Sequence, residues 1–262
     1  MARRPRPPVL LVVPAVGAVL FVGLPLVGLL AKTPWGSLGE QLSSPDVLSA
    51  LWLSVECSLG ALLLSLVLGV PLAFLLARTD FRGKAVVRAL VTLPLVLPPV
   101  AGGVALLLAF GRRGLAGDLL AAVDVSLPFT KAGVILAEAF VAMPFLVLSV
   151  EGALAGLDPE HEDVASTLGA RPLRVFFTVT VPLVGPGIAA GAALAWARAL
   201  GEFGATITFA GNFPGTTQTL PLAVYVLLQD EPDAAISLSL LLLTVSLAVL
   251  ILLRNRWLGR VA

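Results

Sequence analysis

The chain has 262 residues, of which 58% are hydrophobic and 13% are charged, and its formal net charge is +1. Its mean hydropathy is +1.01. Because about a quarter of the residues in an ordinary soluble domain are charged, this composition excludes a soluble protein and predicts an all-α integral membrane protein. A membrane helix needs about 20 residues, so the chain has room for six or seven spans and little else. The net charge gives no indication of nucleic-acid binding, and the single cysteine, Cys57, excludes an internal disulfide.

Six apolar stretches are predicted to cross the membrane as helices, and together they make a single transmembrane domain of residues 1–262. They cover residues 9–31, 47–77, 89–110, 132–150, 183–210 and 234–253. The first is longer than the apolar part of a signal peptide, which is about 7–15 residues, so an uncleaved span is favoured. The third carries Pro94, Pro98 and Pro99 with Gly102 and Gly103, which predict a break or bend in its helix.

The 17 lysines and arginines are distributed unevenly between the two sides that six spans define. One side holds Arg3, Arg4, Arg6, Arg78, Arg82, Lys84, Arg88, Arg171, Arg174, Arg254, Arg256 and Arg260. The other side holds Lys32, Arg112, Arg113 and Lys131, and Arg198 lies within the fifth span. Because cytoplasmic loops are enriched in lysine and arginine, both termini and the polar stretch 153–182 are predicted to be cytoplasmic.

Residues 157–182, LDPEHEDVASTLGARPLRVFFTVTVP, form the one long polar interruption of the apolar sequence. Asp158 is predicted to cap a short helix that starts at Pro159, and Gly169 is predicted to end it in a left-handed turn. Three acids occupy the first turn, where the helix dipole favours negative charge: Glu160, Glu162 and Asp163. A second helix is predicted to begin near Pro172. A capped helix of about ten residues between two spans is typical of an element that docks into a partner's groove.

A resemblance to the EAA loop of bacterial ABC importer permeases is carried by residues 162–170 (EDVASTLGA), Phe176, Val181-Pro182 and Pro186-Gly187-Ile188. That loop begins Glu-Ala-Ala, has a glycine seven residues after the glutamate and continues to Leu-Pro. Here an aspartate and a valine replace the two alanines, and a valine replaces the leucine. The resemblance implies an ABC importer permease fold and a coupling helix that inserts into a cleft of a cytoplasmic ATPase subunit. The coupling residues that it implies are Glu160, Glu162, Asp163, Ala165, Leu168, Gly169 and Ala170.

The sequence contains no phosphate-binding loop, since Gly83-Lys84 is followed by Ala85 instead of serine or threonine. The one histidine, His161, is interpreted as a solvated or interface side chain. Glu56 and Glu138 lie near the outer ends of their spans, where water is expected to reach them, and are not predicted to be ligands. The chain is therefore predicted not to be an enzyme and to bind no cofactor or metal. ATP and Mg²⁺ would be used by the partner ATPase.

A second stretch, residues 197–225, places Arg198 and Glu202 one helical turn apart within the fifth span. Because ionisable side chains at membrane depth are costly unless they are paired or meet water, these two are predicted to pair and to face the interior. The pattern fits a purely structural pair and also a pair that borders the substrate route. Gly201 and Gly204 flank the glutamate and allow local unwinding of the helix.

The same stretch resembles the permease subunits of molybdate and tungstate ABC importers. The shared signature is GEFGAT at 201–206, GNFPG at 211–215, and TQTLP at 217–221 with Tyr225. Sulfate and thiosulfate permeases share GEFGA and usually diverge after it. The residues predicted to border the translocation route or its gate are Arg198, Glu202, Phe203, Gly204 and Thr206.

Members of this family pair two permeases with two ATPases and receive the oxyanion from an external binding protein. The resemblance therefore implies these partners, a homodimer of this chain within membrane lipid, and ATP-driven import by alternating access. A sulfate or thiosulfate permease is the nearest alternative. A gradient-driven transporter and a membrane-embedded enzyme are the others; the transporter would be expected to repeat broken helices and buried acids in both halves, and the sequence has no evident internal repeat.

Overall fold

All regular elements in residues 9–257, which the computed structural model describes, are helices. They are α1 Val9–Lys32, α2 Leu38–Leu42, α3 Pro45–Arg78, α4 Lys84–Val96, α5 Pro99–Phe110, α6 Gly117–Ala122, α7 Lys131–Ala155, α8 Glu160–Thr167, α9 Pro172–Val175, α10 Val181–Leu200, α11 Gly204–Ala210, α12 Leu220–Asp230 and α13 Pro232–Trp257. A π-helical stretch, Phe176–Thr180, joins α9 to α10 in one continuous helix. The predicted all-α fold class is confirmed.

In the part of the chain that the structure describes, four segments are long and apolar enough to cross a membrane by length and composition, namely Leu10–Lys32, Pro45–Arg78, Lys131–Ala155 and Pro172–Leu200. They lie where the first, second, fourth and fifth spans are predicted. The third predicted span is divided between α4 and α5 at Leu97 and Pro98. Pro98 and Pro99 account for this division, because proline removes a helical hydrogen bond and disfavours helical geometry in the residue before it, whereas Pro94 lies within α4.

The structure differs from the predicted spans at two further places. The stretch 183–210 is not one helix, because α10 ends at Leu200 and α11 begins at Gly204. Helix α12 forms in a stretch that contains no predicted span. Its 11 residues extend only about 16 Å, which is too short to cross the hydrocarbon core. The helix is therefore not predicted as a membrane span.

The core lies where α3, α7 and α10 pack together, and α7 is at its centre. In an apolar stretch of 18 residues within α7, 61% of the residues are buried inside the chain, whereas 0% are buried in the corresponding stretch of α1. The buried core residues include Ala61, Ala73, Ala142, Leu146, Val150, Ala195 and Ala199. Many of these are alanines, which let the helix backbones approach closely. The indole Nε1 of Trp196 on α10 donates a hydrogen bond of 3.0 Å to Ser58 Oγ on α3.

Helices α3 and α7 run parallel to each other, so ion pairs identify the two ends of the bundle. At one end, termed the Lys131 end, Lys131 Nζ of α7 lies 2.8 Å from Glu56 Oε2 of α3. At the opposite end, termed the Arg78 end because α3 finishes there, Arg88 of α4 pairs with Glu151 of α7. The segment 156–180 lies at the Arg78 end, since it connects α7 to α10.

The contact between α7 and α10 gives a stability prediction. A Cβ atom at Gly187 would come 2.3 Å from the Cβ of Ala153. Gly187→Ala is therefore expected to push the helices apart, cost about 1–3 kcal/mol and lower the Tm of the purified chain. Gly185→Ala is the matched control, because nothing lies within 4 Å of a Cβ added there. Since alanine favours helix over glycine, this control should keep or raise the Tm, and equal Tm values for the two variants would contradict the packing.

Candidate functional site

The short helix α8 is held at both ends by the residues predicted to do so. The backbone N–H of Glu160 donates a hydrogen bond of 3.0 Å to Asp158 Oδ1, so Asp158 caps the helix. Gly169 has a φ of +84°, in the left-handed region that glycine enters without strain. The next helix begins at Pro172. The local prediction for this segment is confirmed at its start, its end and the following helix.

Glu162 points from α8 toward the body of the protein. Its Oε2 lies 3.1 Å from Arg78 Nε, and the side chains of Glu162 and Arg78 are 16% and 14% exposed. Its Oε1 accepts a hydrogen bond of 2.8 Å from Thr180 Oγ1, in the π-helical stretch that precedes α10. Arg78 also donates from Nη2 to the carbonyl oxygen of Leu157 at 3.1 Å. Both oxygens of this carboxylate are therefore engaged within the chain.

The outward face of the segment is partly apolar. Leu168 is 83% exposed, and Val164, Leu173 and Phe177 are also exposed. Of the other predicted coupling residues, Glu160, Asp163 and Gly169 are exposed, and Ala165 and Ala170 are half-buried. Glu162 is thus separated from this surface, which a partner could cover. Arg78 is not predictable as part of this site from the sequence, because the basic cluster around it indicates only membrane orientation.

The second predicted site lies at the break between α10 and α11. Arg198 Nη2 lies 2.5 Å from Glu202 Oε2, and the Glu202 side chain is 1% exposed. Glu202 Oε1 accepts a hydrogen bond of 2.9 Å from the backbone N–H of Ala205. Glu202 therefore pairs with a cation at the end of one helix and caps the start of the next, which compensates its burial. The predicted pairing is confirmed.

The two broken helices meet beside this pair. A Cβ atom at Gly204 would lie 2.8 Å from the Cβ of Pro99 at the start of α5, so only glycine permits this approach. Thr206 is buried, whereas Phe203 is half-buried and its ring packs on that of Tyr225, with centroids 5.2 Å apart. The five predicted route residues therefore lie at one junction of α5, α10, α11 and α12, with Arg198 and Phe203 as its more exposed members.

The prediction that water reaches Glu138 on α7 is wrong. Its side chain is 1% exposed, so it does not lie in water as expected. Its neighbours Ala137 and Val141 pack with Ala205 and Phe209, which places α11 over this part of α7. Glu56 lies at the Lys131 end, where it is exposed as expected. Within residues 9–257, no group of three or more His, Cys, Asp and Glu side chains could hold a metal ion.

Comparison with known proteins identifies the family. Residues 69–261 match the family described as the inner membrane component of binding-protein-dependent transport systems. The chain belongs to this family. Its members are the membrane permeases of such systems, so the chain is an inner-membrane permease, in agreement with its apolar helices.

Individual relatives cover almost the whole chain. The chain is 48% identical over 238 residues to the molybdenum transport system permease protein ModB of Mycobacterium tuberculosis, which covers 91% of this chain and 90% of the relative. It is 44% identical over 214 residues to the ModB protein of Escherichia coli, covering 81% of this chain and 93% of the relative. The sulfate transport system permease protein CysT of Escherichia coli is 35% identical over 235 residues, covering 88% and 85%.

Solved structures agree on the fold. A chain of a bacterial ABC transporter involved in the import of the acidic polysaccharide alginate matches with a TM-score of 0.76 at 17% identity, covering 96% of this chain and 95% of that chain. The MetNI methionine ABC transporter matches with a TM-score of 0.58 at 19% identity, covering 81% and 98%. The predicted ABC importer permease fold is confirmed.

Proposed function

We propose that the chain is the permease subunit of an ATP-driven importer that moves molybdate or tungstate from an external binding protein into the cytoplasm. The observation that carries this proposal is the identity of 48% with a molybdenum permease, against 35% with a sulfate permease. The GEFGAT and GNFPG segments, which lie at and just beyond the broken helix, support the same cargo. A sulfate or thiosulfate permease would use the same fold, and it would be recognised by ATP hydrolysis that the sulfate-loaded binding protein stimulates.

The charge distribution supports a cytoplasmic Arg78 end. This end carries Arg78, Arg82, Lys84 and Arg88 close together in the sequence, and cytoplasmic loops are enriched in such residues. Segment 156–180 and both termini are then cytoplasmic, and the Lys131 end faces the binding protein. The termini lie outside residues 9–257, and their cytoplasmic location is inferred from the charges in the sequence.

The exposed face of α8 is the proposed contact with the ATPase. Its apolar residues Val164 and Leu168 would enter a cleft of that subunit, while Glu160 and Asp163 would lie at the polar rim. ATP and Mg²⁺ would bind to the ATPase. Two ATPases would act on two copies of this chain, and their closure would bring the paired α8 helices together.

Transport follows from a change in which side of the permease pair is open. A tetrahedral dianion cannot cross hydrocarbon, so the two copies must enclose a wet route that opens to one side at a time. ATP binding by the partner would favour the outward-open state, and hydrolysis would restore the inward-open state. Tight binding within the route would slow release, so affinity belongs in the external binding protein.

The junction of broken helices is the proposed wall of this route. Arg198 and Phe203 are exposed enough to meet a passing anion, whereas Glu202 and Thr206 are buried and would support the wall from behind. The ion pair leaves little net charge at the wall, so an anion would meet neither strong repulsion nor a trap. Gly204 would allow α11 to remain close to α5 as the route changes shape.

Co-purification and inhibition distinguish this function from a gradient-driven transporter. When the chain is isolated from membranes in mild detergent, we expect an ATPase that carries a phosphate-binding loop to accompany it. Uptake should be blocked by vanadate and should persist when ionophores collapse the ion gradients. Uptake that survives vanadate and stops with ionophores would contradict the proposal.

A further inference from the structure

We propose that Arg78 is a positioning residue for coupling: together with Thr180 it clamps Glu162, so that movement of α8 is passed directly to α3 and to the base of α10. This inference rests on the proposed function, because it concerns how a partner's movement reaches the route. The three residues come from three separate helical segments. We refer to Arg78, Glu162 and Thr180 as the clamp.

Glu162 is engaged within the chain and is not available to a partner. One carboxylate oxygen faces Arg78 Nε at 3.1 Å, and the other accepts the hydroxyl of Thr180 at 2.8 Å. The Glu162 side chain is 16% exposed. A docking contact through Glu162 would have to break both interactions and leave the Arg78 guanidinium half-buried without its carboxylate, which is unfavourable.

Helix α8 has few other attachments to the body of the protein. None of its residues is buried. Arg78 extends the attachment to the preceding turn, because its Nη2 also donates to the Leu157 carbonyl oxygen at 3.1 Å. The half-buried ion pair, with the hydrogen bonds that its two members make to Thr180 and Leu157, is therefore a specific link between this helix and the helices behind it.

The clamp ends on two helices of the core bundle. Arg78 is the last residue of α3, and Thr180 is the last residue of the π-helical stretch that leads into α10. Helices α3 and α10 both pack on α7 in the core. Since π-helical turns are less regular than α-helix and frequently occur at functional sites, this stretch is suited to bend when Thr180 is pulled. The clamp thus connects the partner-facing helix to both sides of the core.

A charge exchange tests the clamp in the complete complex. The variants are Arg78→Glu, Glu162→Arg and the double exchange, each reconstituted in proteoliposomes with the ATPase and the loaded binding protein. We expect each single variant to retain the ATPase, because the apolar face of α8 is unchanged, and to lower uptake per ATP hydrolysed by about tenfold or more. The double exchange should recover most of this ratio.

Two further variants control for charge and for donor number. Arg82→Glu makes the same change of charge at an exposed neighbouring position and should transport as the wild type does. Arg78→Lys keeps the positive charge but replaces the planar guanidinium, which has several fixed donors, by a single ammonium group. Its uptake per ATP hydrolysed should therefore lie between the values for the wild type and Arg78→Glu. Loss of ATPase binding in Glu162→Arg, without recovery in the double exchange, would overturn the clamp and assign Glu162 to the partner.

A readout that does not require transport separates this inference from the proposed function. In the purified chain, limited chymotrypsin cleavage after Leu168 reports how often α8 leaves its position. Each single variant should be cleaved about tenfold faster, within the range of allosteric couplings, and the double exchange should restore the wild-type rate. Equal rates in all four chains would overturn the clamp whether or not the wild type transports an oxyanion.

Discussion

Leu168→Glu is expected to release the ATPase and abolish uptake while the chain still inserts into the membrane. Leu168 is 83% exposed at the end of α8, where the proposed partner cleft would remove it from water. Truncating a central apolar anchor of an interface typically costs about 2 kcal/mol or more, and a buried charge costs further. We therefore expect the affinity for the ATPase to fall by at least about 30-fold, measured by titration of the purified subunits in detergent.

Leu115→Glu is the matched control for this variant. Leu115 is 97% exposed and lies between α5 and α6 at the Lys131 end, away from the proposed ATPase contact. Both changes place a glutamate on the surface, so general effects on insertion and solubility should be alike. Unchanged ATPase affinity in Leu168→Glu would refute the assignment of α8 as the coupling helix.

Glu202→Ala is expected to destabilise the chain strongly. The substitution leaves Arg198 without its carboxylate and removes the acceptor from the Ala205 N–H at the start of α11. Breaking a buried ion pair costs about 3–5 kcal/mol, and Arg198 is partly exposed, so we take about 3 kcal/mol. In a thermal melt of the purified chain, this corresponds to a fall in Tm on the order of 10 °C.

Glu56→Ala is the control, because it also removes the carboxylate of an ion pair, the exposed pair between Glu56 and Lys131. The Lys131 and Glu56 side chains are 46% and 42% exposed, and surface pairs contribute at most about 1 kcal/mol. The Tm should therefore change little. A Tm for Glu202→Ala as high as that for Glu56→Ala would mean that Glu202 is hydrated, contrary to its position in the structure.

Local chemistry explains which features were predictable from the sequence. Asp158 and Gly169 bound α8 through interactions within one or two turns, so the residue types alone indicate its ends. The division of the third span also follows from local chemistry, since two consecutive prolines, Pro98 and Pro99, lack N–H donors and favour the start of a new helix. Arg198 and Glu202 lie one turn apart, so their pairing needs no knowledge of the rest of the fold.

Features that depend on distant parts of the chain were not predictable in the same way. The inward direction of Glu162 depends on Arg78, which reaches it only because α3 and α7 finish at the same end of the bundle. The burial of Glu138 depends on α11, which folds over α7 after the break that follows Leu200. A hydropathy pattern identifies apolar segments and does not specify which of their faces another segment will cover.

The cargo and the coupling to a partner ATPase can both be tested by measuring ATP hydrolysis in proteoliposomes. The purified permease and ATPase are reconstituted, and the external binding protein is added after loading with molybdate, tungstate or sulfate in turn. We predict that the molybdate- and tungstate-loaded forms stimulate hydrolysis, and that the sulfate-loaded form leaves it near the rate without binding protein. Stimulation by the sulfate-loaded form alone would contradict the proposed cargo. Equal rates with and without every loaded form would contradict the proposed ATP-driven import.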